Sequence, residues 1–111
     1  MSVGTLTTHV LDTSRGMPAV GLFVQLRSAS SPAVLDEGLT DSDGRIGDLG
    51  PERLDAGEYA LRFDTGGYFA QNGVTGFYPE VVVSFTITDP DEHYHVPLLL
   101  NPFGYATYRG S

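Results

Sequence analysis

Short runs of alternating apolar and polar residues, cut at close intervals by glycine and proline, constrain this chain more than any other feature. In residues 20–27, Leu22, Val24 and Leu26 share one face, while Phe23, Gln25 and Arg27 share the other. Residues 58–64 repeat the pattern with Tyr59, Leu61 and Phe63. Residues 81–88 do so with Val81, Val83, Phe85 and Ile87, and residues 93–100 with Tyr94, Val96, Leu98 and Leu100. A first strand is expected over 5–11, a weaker one over 34–40 and a last short one over 105–110. The punctuation is turn chemistry: Gly16 and Pro18 within 12–18, then Asp41-Ser42-Asp43-Gly44 and Asp89-Pro90-Asp91. Fourteen Gly and seven Pro in 111 residues suit short strands and tight turns, not a helical bundle. The one helix candidate is 66–73, barely two turns long, with Tyr68, Phe69 and Asn72 along one edge. The pattern predicts an all-β fold: one domain over residues 1–111, built as a two-sheet antiparallel β-sandwich with one short helix. Such a fold has edge strands to protect, and pairing them with another subunit is a common solution, so an oligomer is expected.

Charge narrows the partners. Fourteen acidic residues against six basic ones give a net charge of −8, and every base is Arg. A polyanion such as nucleic acid is repelled by that field. A small anion can bind only where arginines and histidines gather locally. There is no Cys, hence neither disulfide nor thiolate chemistry. Met1-Ser2-Val3-Gly4 has neither a basic start nor an apolar run, so no signal peptide is read there. No window approaches the ~20 apolar residues of a membrane helix. No membrane partner is expected, and the cytoplasm is the default location.

Strand parity singles out the histidines. With Tyr94, Val96, Leu98 and Leu100 facing the core, His93, His95, Pro97 and Leu99 face away from it. In residues 5–11, His9 lies opposite Leu6 and Val10 and is again outside the core. Three readings stay open on this pattern: a solvated strand face, a zinc site using His9, His93 and His95, or acid–base catalysis. Asp41-Ser42-Asp43-Gly44 resembles part of a calcium loop but lacks its third acidic position and distal glutamate, so an Asx-type turn is expected. Arg45 follows directly, and position alone marks it as a solubilising surface residue. No nucleophile elbow, P-loop or dinucleotide glycine motif is present.

Three stretches carry a family resemblance. They are Leu6-Thr7-Thr8-His9-Val10-Leu11-Asp12 continuing through Arg15-Gly16-Met17-Pro18-Ala19, then Thr40-Asp41-Ser42-Asp43-Gly44-Arg45, and finally His93-Tyr94-His95-Val96-Pro97-Leu98-Leu99-Leu100 with Pro102, Gly104-Tyr105 and Tyr108-Arg109-Gly110-Ser111. On these the chain resembles the transthyretin-like family, and within it the branch of 5-hydroxyisourate hydrolases. The terminal Tyr-Arg-Gly-Ser is the feature that separates that branch from the hormone carriers. Asn101 and Ala106 stand where the family often has serine.

The resemblance implies a transthyretin-like sandwich and a homotetramer, a dimer of dimers, whose outer sheet faces meet in a central channel. It implies hydrolysis of the six-membered ring of 5-hydroxyisourate to 2-oxo-4-hydroxy-4-carboxy-5-ureidoimidazoline in urate degradation, without metal or organic cofactor. His9, Arg45 and His95 are the implied catalytic residues. His9 is taken as base, His95 as its partner in proton transfer, and Arg45 as the stabiliser of the developing oxyanion. Substrate binding is assigned to His9, Arg45, Tyr108, Arg109, Gly110 and Ser111. Tyr108 and Arg109 have opposite strand parity, so Tyr108 is expected to meet the ring and Arg109 to anchor the tail. The rivals are a non-catalytic small-molecule carrier on the same scaffold and a generic binding module.

Overall fold

A computed structural model describes residues 6–111 of the chain. Thr5, the first residue of the expected opening strand, and the Met1–Gly4 segment lie outside the described residues. Nine strands and one helix follow in the order β1 (Leu6–Asp12), β2 (Met17–Pro18), β3 (Phe23–Ser28), β4 (Val34–Leu39), β5 (Arg45–Leu49), β6 (Gly57–Phe63), α1 (Thr65–Gln71), β7 (Val81–Ile87), β8 (Tyr94–Asn101) and β9 (Gly104–Thr107). They form two sheets. One runs β2-β1-β8-β9, with β5 also on β1; the other runs β4-β3-β6-β7.

The core lies between the sheets. Leu6, Val10, Leu98 and Leu100 from the first sheet meet Val24, Leu26, Leu61 and Phe63 from the second, all buried. These are the residues that alternation assigns inward. Burying side chains of this size contributes about 1.5–3 kcal/mol each. In β7 the inward residues divide: Val81 and Ile87 are buried, whereas Val83 and Phe85 are half-buried. β7 is an edge strand, and these two side chains line a cavity between the sheets.

One pairing departs from the antiparallel expectation. β1 and β8 run parallel, from Leu6 opposite Tyr94 to Asp12 opposite Leu100; every other strand pair is antiparallel. This pairing brings the two histidine-bearing strands side by side. β5, unforeseen from sequence, pairs with the other edge of β1 and sets Arg45 opposite His9. Helix α1 is capped by Asp64, whose carboxylate accepts from Gly67 N at 3.2 Å. Tyr68 on α1 donates to the buried Asp12 carboxylate at 2.8 Å, tying the helix to the end of β1. No helix of the described residues is long and apolar enough to cross a membrane.

Candidate active site

The Asp41–Gly44 segment is an Asx-type turn that delivers Arg45. One Asp41 carboxylate oxygen accepts from Asp43 N at 2.8 Å and Arg45 N at 3.0 Å, and Gly44 N donates to Asp41 O at 2.9 Å. These backbone bonds, that from Arg45 foremost, hold the Asp41 carboxyl below the usual carboxylate range. Gly44 has φ +75°, and a Cβ there would collide with the carbonyl of Val10. Only glycine lets the turn approach β1 this closely.

Arg45, His93, His95, Thr7 and Ser111 meet in a groove of about 210 Å³ on the outer face of the first sheet. His9 stands on the same face, half-buried, with Arg45 as its register partner on one side and Pro97 on the other. All three histidines of the chain therefore lie on this face, His93 and His95 lining the groove and His9 beside it, within a molecule of net charge −8. Arg45 is distinctive in what it lacks. Arg15 donates to Asn72, Arg27 to Gln25, Arg53 pairs with Asp91, Arg62 with Glu80 and Arg109 with Glu92. Among the described residues, Arg45 alone of the six arginines has a guanidinium with neither hydrogen bond nor ion pair.

The His95 imidazole sits below its ordinary pKa of 6.5. Burial is the main cause, and the positive charges of Arg45, His9 and His93 add to it. Its ring is held on two sides. Nδ1 lies 2.8 Å from Thr7 Oγ1, and the Cδ2 edge lies against Gly110, where an added Cβ would stand 2.5 Å away. Gly110 N donates to His95 O at 2.8 Å, a lone antiparallel bridge that brings the chain end across β8 and Ser111 into the groove.

Tyr108 and Arg109 go elsewhere. Both line the cavity of about 300 Å³ between the sheets, whose wall includes Val83, Phe85 and His95. Arg109 anchors the tail. Its guanidinium lies over the Tyr94 ring at 4.5 Å, donates to His93 O at 3.4 Å and is 3.6 Å from Glu92. Among the described residues, no group of three or more His, Cys, Asp and Glu side chains is placed to hold a metal ion. The arrangement can stabilise an anionic oxygen at Arg45 and move protons at the imidazoles.

The family model of the HIUase/Transthyretin family matches residues 6–110. The chain belongs to the HIUase/Transthyretin family. A mouse member, 5-hydroxyisourate hydrolase, is 48% identical over 111 residues, covering 96% of this chain and 94% of its own. The solved structure of Klebsiella pneumoniae 5-hydroxyisourate hydrolase superposes with a TM-score of 0.88 at 38% identity, covering 100% of this chain and 94% of that one. Sea bream transthyretin in complex with thyroxine superposes with a TM-score of 0.87 at 31% identity, covering 96% and 94%. Within the HIUase/Transthyretin family the sandwich itself thus hardly discriminates enzyme from carrier, and the groove has to. Thr7 is a polar groove residue that sequence reasoning passed over. Its only signal was parity shared with His9, which is uninformative until the register with β8 is known.

Proposed function

We propose that this chain is a hydrolase that opens the six-membered ring of 5-hydroxyisourate in urate degradation, acting in the cytoplasm as a homotetramer. The observation that carries the reading is the unpartnered Arg45 guanidinium beside His95 and Ser111 in one groove. The names of the mouse and Klebsiella relatives support the same chemistry.

Opening a ring amide needs an activated water, a stabilised carbonyl oxygen and a proton for the leaving nitrogen. His95, held neutral by its surroundings, suits the base, so the sequence-based roles of the two histidines are exchanged. Water attacks the carbonyl carbon as His95 Nε2 takes its proton. Arg45 stabilises the oxygen that gathers charge. The C–N bond breaks as His9 gives a proton to the nitrogen. Gly110 and Ser111 form the wall that orients the ring, and Tyr108 and Arg109 seat that wall. The outer faces of four copies enclose the channel into which the grooves open.

The test generates 5-hydroxyisourate in the cuvette from urate and urate oxidase and follows its ultraviolet absorbance. Decay faster than the spontaneous rate, in proportion to added protein, is expected. A folded, untagged protein that binds the compound without accelerating its decay would establish the carrier instead.

A further inference from the structure

The rings of His93 and His95, two residues apart on β8's outer face, converge on one hydroxyl. Thr7 Oγ1 lies 2.8 Å from His95 Nδ1 and 3.0 Å from His93 Nε2. The parallel register makes this contact, since Thr7 is the direct partner of His95. All three residues line the groove with Arg45 and Ser111. A threonine hydroxyl has one proton to donate and lone pairs with which to accept. If it donates to one ring, it accepts an N–H from the other, so the tautomer of each ring is tied to that of its neighbour. His95 Nε2 has no hydrogen-bond partner among the described residues.

We propose that Thr7 is a positioning residue that joins His95 and His93 into a proton relay leading from the groove to solvent. In the working arrangement His95 carries its proton on Nδ1 and donates it to Thr7 Oγ1, and Thr7 donates to His93 Nε2. In this tautomer His95 Nε2 carries the lone pair and can accept a proton from water. When it does, the Nδ1 proton passes to Thr7 Oγ1 as the Thr7 proton passes to His93 Nε2. His93, exposed on the outer face, releases a proton to solvent. One proton enters and one leaves, each N–H or O–H bond breaking as the next forms. The bonds shift back when His93 takes a proton from solvent and His95 Nε2 gives one up in the groove, replacing the proton that His9 has passed to the leaving nitrogen. The purpose of the relay rests on the hydrolase reading; its geometry does not.

Two measurements on the full-length protein test it separately. Long-range proton–nitrogen NMR with the imidazoles neutral should find His95 in the Nδ1–H tautomer. Thr7→Val should abolish that preference, and Thr7→Ser should restore it. Single-turnover and steady-state assays should find kcat lowered about tenfold in Thr7→Val and in His93→Gln, with KM changed by less than about twofold. In His93→Gln, added imidazole buffer should recover the rate, because it carries the proton that His93 no longer can. An Nε2–H tautomer of His95 in the unmodified protein would overturn the relay. So would wild-type kcat in Thr7→Val and His93→Gln. If the unmodified protein is inactive, the hydrolase reading falls and the tautomer alone decides the relay. If Thr7→Val does not fold, the buffer dependence of His93→Gln decides it.

Discussion

Arg45 is one of six arginines, and the other five show what this chain ordinarily does with a guanidinium. Each of the five is hydrogen-bonded or ion-paired, whereas Arg45 is left to the groove. His9→Ala, Arg45→Ala and His95→Ala should therefore each lower kcat/KM about 100-fold or more in the absorbance assay. Thermal midpoints should move by only a few degrees, because none of these side chains belongs to the core. A second expectation concerns His95 titration. With its pKa lowered by burial and by neighbouring cations, its NMR midpoint should fall below 6.5, and Arg45→Gln should raise it. The sign follows: the neutral base persists into mildly acidic solution, and activity is lost only as pH falls through that lowered midpoint. For stability, the unfolded chain binds this proton more readily, so stability is full above about 6.5 and declines below it. Parity alone placed His9 and His95 on the outer face, because a two-residue period needs no tertiary information. It could not mark Arg45 as unpartnered or Thr7 as a bridge, since both facts belong to register.

The tail is an element held by few bonds. One bridge at Gly110 and the half-exposed contacts of Arg109 fasten it, and exposed pairs of this kind contribute about 0–1 kcal/mol. Deleting residues 108–111 should leave the far-ultraviolet circular dichroism of the sandwich intact and cost little in thermal midpoint. It should remove nearly all hydrolysis, since Ser111 walls the groove and Gly110 abuts His95. An intact rate in the truncated protein would take the tail out of the site. Elements with strict alternation were legible: β3, β6 and β8 follow their patterns within a few residues. Helix α1, at Thr65–Gln71, sits close to the expected 66–73. β5 was not legible, since Gly47 and Asp48 interrupt Arg45–Leu49 and its strand character comes from lying against β1. Tyr108 was expected at the ring, but the strand ends at Thr107 and the chain turns back to pair Gly110 with His95.

At the scale of the molecule, β7 and β9 end their sheets with one edge unpaired among the described residues, and Phe77, Phe103, Tyr105 and Tyr108 are exposed. Open sheet edges of this kind favour association. Native mass spectrometry should find four copies, and dilution that separates them should reduce the rate per chain if the channel is shared. A monomer with full activity would confine the site to one protomer. The parallel union of β1 with β8 has a further consequence, in time. Thr7 and His95 are 88 positions apart, so a ribosome must add the whole intervening stretch before the first strand can close its second edge. Until then β1 has β2 and β5 on one side only. A nascent or prematurely terminated chain keeps that edge open to other chains, and its two halves of the site have not met. The two strands that carry the histidines thus meet only once the strand that closes the sheet has been made.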